Sequence, residues 1–265
     1  MAMPLLLSLS ALAALVPAVL VTLRSTARRD GLWWLLLAVA LAGALARAVI
    51  ALTPQWHTSL SGALWVTIAA SLALFMLLAA LVRDAWRLTP LLLPYLFVLG
   101  ALATIWQQAP ERPLIAAPAM WLDLHILVSV ATYGLLTIAA VAGFAVLVQE
   151  RALKSKRRGA LNQLLPAIAS CERLQLTLLA ASEVVLGLGL LTGMATQYFV
   201  SGAVLAFDHK TLFSLLAFVV IGALLVAQAK SGIGGRRAAR LVLLAYLLLT
   251  LAYPGVKFVT DVLLA

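Results

Sequence analysis

The sequence predicts an all-α fold: a polytopic membrane helix bundle with about eight transmembrane helices and both termini on the outer, periplasmic side. Three observations carry that prediction. First, 65% of the 265 residues are hydrophobic and 11% charged, with a mean hydropathy of +1.10. Ordinary soluble domains are roughly half apolar and roughly a quarter charged. A water-soluble fold of this composition has too little polar surface to cover its core. A soluble enzyme, a disordered chain and a disulfide-rich secreted domain are thereby excluded. Second, apolar stretches long enough to cross a bilayer recur eight times. Third, the basic residues gather on one side of those stretches.

A hydrocarbon core about 30 Å thick requires about 20 apolar residues at a rise of about 1.5 Å each. Segments 3–23, 31–52, 60–82, 89–107, 119–148, 172–197, 211–229 and 236–260 meet that requirement. The first has no basic residue before its apolar run and is followed by Arg24, Arg28 and Arg29. That pattern is expected of a retained helix, not of a cleaved signal. The second holds Arg47 towards its outer end, and Arg83 and Arg87 join the third to the fourth. The fifth runs into the longest cytoplasmic loop, about 150–171, where Pro166 and the flanking charges predict a short interfacial helix. This loop divides the chain into four helices over residues 1–118 and four over 119–265. No internal repeat supports an inverted-repeat transporter. Gly187, Gly189 and Gly193 of the sixth segment include a GxxxG pair, which brings helices close or lets a flat ligand approach a backbone. The eighth carries a stripe of Tyr246, Thr250, Tyr253 and Lys257, with Pro254 predicting a kink.

Charge sets the orientation. The loops assigned to the cytoplasm hold fourteen basic residues: Arg24, Arg28, Arg29, Arg83, Arg87, Arg151, Lys154, Lys156, Arg157, Arg158, Lys230, Arg236, Arg237 and Arg240. The outer segments hold Arg112, Lys210 and Lys257. This is a positive-inside pattern. It also explains the net charge of +10 without nucleic acid: the run over 151–158 is read as a topology determinant lying against anionic lipid. A single cysteine, Cys171, excludes an internal disulfide, a CxxC redox pair and a CxxCH haem-attachment site.

With this topology His57, His125 and His209 all fall at the outer face. His125 opens a stripe with Ser129, Thr132 and Tyr133 on one helical face, which should turn inward from lipid. Ligand binding and interhelical hydrogen bonding both account for it. His209 follows Asp208, which either orients the imidazole across a backbone turn or caps the helix that starts there. His57, beside Trp56, reads as an interfacial loop residue. Glu183 in the sixth helix and Arg47 in the second are costly to bury alone, so an ion pair between them is expected. The chain has no P-loop, HExxH, nucleophile elbow or paired carboxylates. Handling or transport is therefore expected, not an enzyme.

Three stretches carry a family resemblance. Residues 121–133, with Trp121, His125, Ser129 and Tyr133, resemble the helix that opens on an outward histidine in the cytochrome c assembly proteins of the CcmC, CcsA and HemX types. Residues 207–213, with Phe207, Asp208, Lys210 and Phe213, resemble the end of that family's tryptophan-rich haem-binding loop. Residues 232–240, with Gly232, Gly235 and Arg240, resemble its basic turn before the last helix. With Cys171 and Glu172 opening helix 6, the resemblance covers about 119–260. The chain departs from the family in an outer loop, 198–210, without tryptophan. Val226 also stands where the full synthases have a membrane histidine. The pattern is nearest to the short HemX-like inner-membrane proteins, including the YpjD or CorE group.

The resemblance implies a multi-pass protein of the bacterial inner membrane, a haem-binding or haem-handling accessory for cytochrome c assembly. It implies haem b as cofactor, with His125 as the outward iron ligand. His209 is a second ligand by location alone. Asp208 and Tyr133 join the binding set, Phe207 and Phe213 would pack on the porphyrin, and Lys210, Arg112 or Lys257 would meet its propionates. Expected partners are the lipid bilayer, haem and other cytochrome c maturation proteins, with no nucleic acid. The alternatives are a non-haem scaffold or regulator of an inner-membrane complex, and support for metal-ion transport. The last needs an acidic cluster that the spans lack.

Overall fold

The computed structural model describes residues 2–24, 28–52, 57–108, 112–113, 119–156, 159–202 and 208–263. Its helices are α1 (Ala2–Thr22), α2 (Gly31–Leu52), α3 (Leu60–Leu81), α4 (Thr89–Ile105), α5 (Ala119–Ser155), the short α6 (Ala160–Leu164), α7 (Ile168–Ser201), α8 (His209–Ser231) and α9 (Gly235–Thr250). A 3₁₀ turn, Ala85–Leu88, leads into α4, and α9 runs on through a π-helical turn at Leu251–Gly255. The remaining regular structure among the described residues is a helical turn at Val256–Phe258, a second π-helical turn at Val259–Leu263 and one antiparallel ribbon of two-residue strands, β1 (His57–Thr58) and β2 (Arg112–Pro113), with His57 opposite Pro113. Eight helices are long and apolar enough to cross a membrane. Leu35, Leu127, Val184 and Leu191 are all at least 60% exposed on their outer faces, the inside-out surface that hydrocarbon tolerates.

Helix ends are set by residues suited to them. Asp30 accepts from the Trp33 amide at 2.9 Å, and Ser59 accepts from the Gly62 amide at 3.0 Å. Each satisfies a donor that the first turn leaves without a partner. Gly202 and Gly232 close α7 and α8 with φ of 72° and 61°, a left-handed conformation that glycine adopts without steric cost.

The connections sort onto two ends. At one, Trp33 and Trp86 meet edge to face with centroids 6.4 Å apart. There Arg87 donates to the carbonyls of Gln163 and Leu164 at 2.8 and 3.1 Å, and Ser170 donates to Asp84 at 3.2 Å. The described members of the fourteen-residue basic set share this end, here the basic end. The opposite end holds the β ribbon, His125 and His209, and is here the histidine end.

Helix α5 is the central post. It packs on α3, α7 and α9, and 72% of its spanning stretch is buried against 17% for α8, the most peripheral span. At about 55 Å it outruns the bilayer. Helices α1 to α4 pack around one another and reach the rest mainly through α3 on α5.

The expected Arg47–Glu183 pair does not form. Helices α2 and α7 share no packed interface. Arg47 Nε donates to Ser8 Oγ at 2.9 Å, and Ser8 donates to Gln107 at 3.2 Å, so a network across α1 and α4 takes the guanidinium. Glu183 instead lies along α8, where a Cβ on Gly222 would stand 3.0 Å from its Oε1. The short helix predicted in the 150–171 loop is α6. Pro254 is absorbed by a π-helical turn, where its missing N–H costs least.

Candidate functional site

His125 lies six residues from the start of α5, facing α7 with its ring half-buried. Its Nδ1 stands 3.2 Å from Thr192 Oγ1. The Thr192 hydroxyl lies 2.9 and 3.1 Å from the carbonyls of Leu188 and Gly189, and these accept its proton. With its own proton directed to those carbonyls, the hydroxyl is placed to accept from Nδ1–H, the tautomer in which Nε2 keeps its lone pair. Orientation of one ring nitrogen by a hydrogen bond is how histidine is prepared to ligate metal through the other.

The glycines of the GxxxG pair make room for this arrangement. A Cβ on Gly193 would stand 3.0 Å from His125 Cε1, and one on Gly189 would stand 3.5 Å from Val128 Cγ1. Both readings of the pair thus coincide: close packing of α7 on α5 is also what seats the imidazole. Above His125 the same helix faces carry Trp121, four residues earlier, and Phe199, seven after Thr192. Their rings lie 6.3 Å apart, with Tyr198 6.1 Å from Phe199. Tyr198 and Phe199 are 54% and 52% exposed.

Tyr133 belongs to a different constellation. Its hydroxyl donates to the Leu249 carbonyl and accepts from the Tyr253 amide. In an α-helix those two groups would bond each other. The tyrosine is thus inserted in the α9 ladder beside Pro254, a recognised cause of helix distortion. One face of the polar stripe, Thr132 and Tyr133, is buried as predicted.

His209 is the first residue of α8 and is exposed. Among the described residues no hydrogen bond joins it to His125. Asp208 acts as the N-cap, accepting from the Thr211 amide at 2.8 Å. Partial burial opposes its charge, but the Thr211 amide and hydroxyl and the Lys210 ammonium outweigh that and hold its carboxyl below the ordinary value. The Lys210 and Lys257 ammoniums lie 6.0 and 5.9 Å from the centre of the Tyr253 ring, within cation–π range. Lys257, itself buried, follows the π-helical turn after α9, and His125 lies about two turns before Tyr133 on antiparallel α5, so both lie on the histidine-end side of the Tyr133–Leu249 bond. Phe213 is half-buried against the core. Phe207 lies outside the described residues, as do the side chains of His57 and Arg112. Among the described residues no three His, Cys, Asp or Glu side chains form a metal cluster.

Sequence reasoning named Gly193 but missed Thr192, Tyr198 and Phe199. The GxxxG pair was their only signal.

A family model described as "Cytochrome C assembly protein" matches residues 31–264. The match starts well before residue 119, within the first group of helices. An uncharacterized 28.8 kDa protein in the nifR3-like 5′ region of Azospirillum brasilense is 58% identical over 264 residues, 97% of each chain. The inner membrane protein YpjD of Escherichia coli K12 is 29% identical over 180 residues, 67% of this chain and 66% of that one. No solved structure matches.

Proposed function

The chain belongs to the cytochrome c assembly protein family, a membership that supports a role in cytochrome c biogenesis, and on that premise we propose that it is a non-catalytic haem-handling accessory. The site faces the periplasmic side of the bacterial inner membrane, an orientation that follows from the positive-inside rule. His125 holds the iron of a b-type haem through Nε2, and His209 is the second ligand. When bound, haem supplies a coordinating iron and two carboxylates. This chain's part is to hold and orient it.

The observation that carries the reading is the His125–Thr192 bond, which holds Nδ1 against α7 and, in the Nδ1–H tautomer, leaves Nε2 for the iron. Two further features fit the same ligand. Lys210 and the buried Lys257 flank Tyr253 towards the histidine end and offer positive charge to propionates. Trp121, Tyr198 and Phe199 offer aromatic surface beyond the histidine. Asp208 serves His209 indirectly, by fixing the first turn of α8.

The test is the absorption spectrum of detergent-purified protein from haem-replete cells. Wild type should show a Soret band that weakens in both His125→Ala and His209→Ala. A band unchanged in position and intensity in His209→Ala would remove His209 as ligand. No band after reconstitution with haem would leave the scaffold or regulator reading in its place.

A further inference from the structure

A cavity of about 230 Å³ lies between α3, α4, α5 and α9, apart from His125. Leu60 and Leu64 of α3, Leu99 and Leu102 of α4 and Tyr133 of α5 form part of its wall. Trp106 and Phe258, with ring centroids 4.9 Å apart, bound it towards the histidine end. Towards the middle of the bundle it is bounded by the hydroxyls of Tyr95 and Tyr246, which bond each other. Among the described residues no charged residue and no histidine lines it. Haem, with two carboxylates and an iron that needs a ligand, is therefore not its occupant.

Counting protons defines what the wall offers. Thr137 donates to the Tyr246 hydroxyl at 3.3 Å. The two phenols hold two protons, and their mutual bond uses one. The other turns either to the Thr137 or Thr250 hydroxyl beside Tyr246 or into the cavity. Thr67 and Thr250, also in the wall, give their own protons to the carbonyls of Ala63 and Tyr246 in their own helices. The half-open cavity thus offers one phenolic O–H, with only hydroxyl oxygens competing for it, in apolar surroundings inside the membrane, where a carbonyl is the stronger acceptor. Its volume is about eight times the ~30 Å³ share of one water in the liquid, room for a single ring or a short chain.

From this phenolic donor, the apolar lining among the described residues and the volume, we propose that this cavity binds a neutral, membrane-soluble molecule through a carbonyl oxygen that accepts from the Tyr95–Tyr246 pair. The proposal is independent of the haem reading.

The test compares acetophenone with ethylbenzene, which has similar shape and no carbonyl. Affinities are taken from the concentration dependence of the thermal unfolding midpoint of full-length protein in detergent. Leu99→Trp, which fills the cavity from α4, is the control for effects on the micelle. In wild type both probes should give saturable shifts that Leu99→Trp abolishes. Acetophenone should bind about three- to tenfold more tightly, the range of one net hydrogen bond. That preference should vanish in Tyr95→Phe and in Tyr246→Phe. Equal affinities in wild type would overturn the proposal and leave an apolar void that takes any hydrocarbon. Shifts unaffected by Leu99→Trp would overturn it in favour of a cavity holding water alone. The comparison of the two probes on wild type decides the matter even if neither tyrosine variant folds.

Discussion

Substituting Gly193 with alanine separates the role of this glycine from the general need for small residues between membrane helices. The added Cβ would stand 3.0 Å from His125 Cε1 and 3.5 Å from Nδ1, so the ring must retreat by several tenths of an ångström. It cannot do so without loosening its 3.2 Å bond to Thr192. Overpacking costs about 1–3 kcal/mol and a lost hydrogen bond about 0.5–1.5 kcal/mol. Against this, alanine is favoured over glycine in a helix by about 1 kcal/mol. Gly189, one turn away, is the matched control: its Cβ would meet Val128 at 3.5 Å, an ordinary contact, so alanine there gains helix propensity at little steric cost. The helix gain is common to both, so the two variants should differ by about 1.5–4.5 kcal/mol. In detergent Gly193→Ala should unfold several degrees below Gly189→Ala, and it should retain about tenfold less haem when reconstituted, since about 1.4 kcal/mol is a factor of ten. Equal stability and equal Soret intensity would refute the claim that Gly193 seats the imidazole.

Three further outcomes are expected. Gly235→Ala should destabilise the basic end by at least about 1–2 kcal/mol, the cost of a side chain in the left-handed region, because Gly235 has φ of 58° and its Cβ would meet Glu150 Oε1 at 2.8 Å; the thermal midpoint in detergent measures this. Tyr133→Phe strips the Leu249 carbonyl of its donor and should cost about 1–3 kcal/mol, with faster amide exchange over 249–255 than in wild type. The Asp208 cap should respond to acid with a definite sign: its folded value lies below the unfolded one, so its contribution is full above about pH 4 and is lost as pH falls through the folded value. Amide exchange at Thr211 should therefore accelerate in that window, and the acceleration should be absent in Asp208→Asn, whose uncharged side chain also caps.

The bundle was legible because hydropathy reports directly on the solvent a helix must face. Helix ends were less so. The spans predicted as 119–148 and 172–197 run in the structure over Ala119–Ser155 and Ile168–Ser201. Glu150, Arg151 and Lys154 lower the hydropathy at the end of α5 without interrupting its helix, which simply leaves the bilayer. Contacts between distant residues were not legible at all. Glu172 accepts from the Gly235 amide at 2.6 Å across 63 positions, joining two stretches that the sequence offered only as separate family marks. Together with Glu150, whose carboxylate lies 3.7 Å from Arg236, it places negative charge at the N-terminus of α9, where the helix dipole favours it. The Arg47–Glu183 expectation failed for a related reason. Charge neutrality names a possible partner, whereas helix adjacency decides the actual one, and Ser8 and Gln107 are near where Glu183 is not.

The structure treats the two candidate ligands unequally, and the inequality bears on handling rather than storage. His125 rides on the most buried span, which is braced at three depths. Gln149 holds the carbonyls of Asn162 and Pro166 at the basic end, Tyr133 is inserted in α9, and Thr192 fixes the imidazole. A ligand on a rigid, multiply braced element keeps its geometry when its partner leaves. His209 stands at the exposed start of the least buried span, held by a single capping carboxylate. If both bind one iron, the bond to His209 is the one that breaks without disturbing the bundle. His125→Ala should then abolish haem retention, whereas His209→Ala should leave a site that holds haem with an open sixth position and takes up imidazole from solution. The reverse hierarchy would mean that the bracing of α5 serves stability alone.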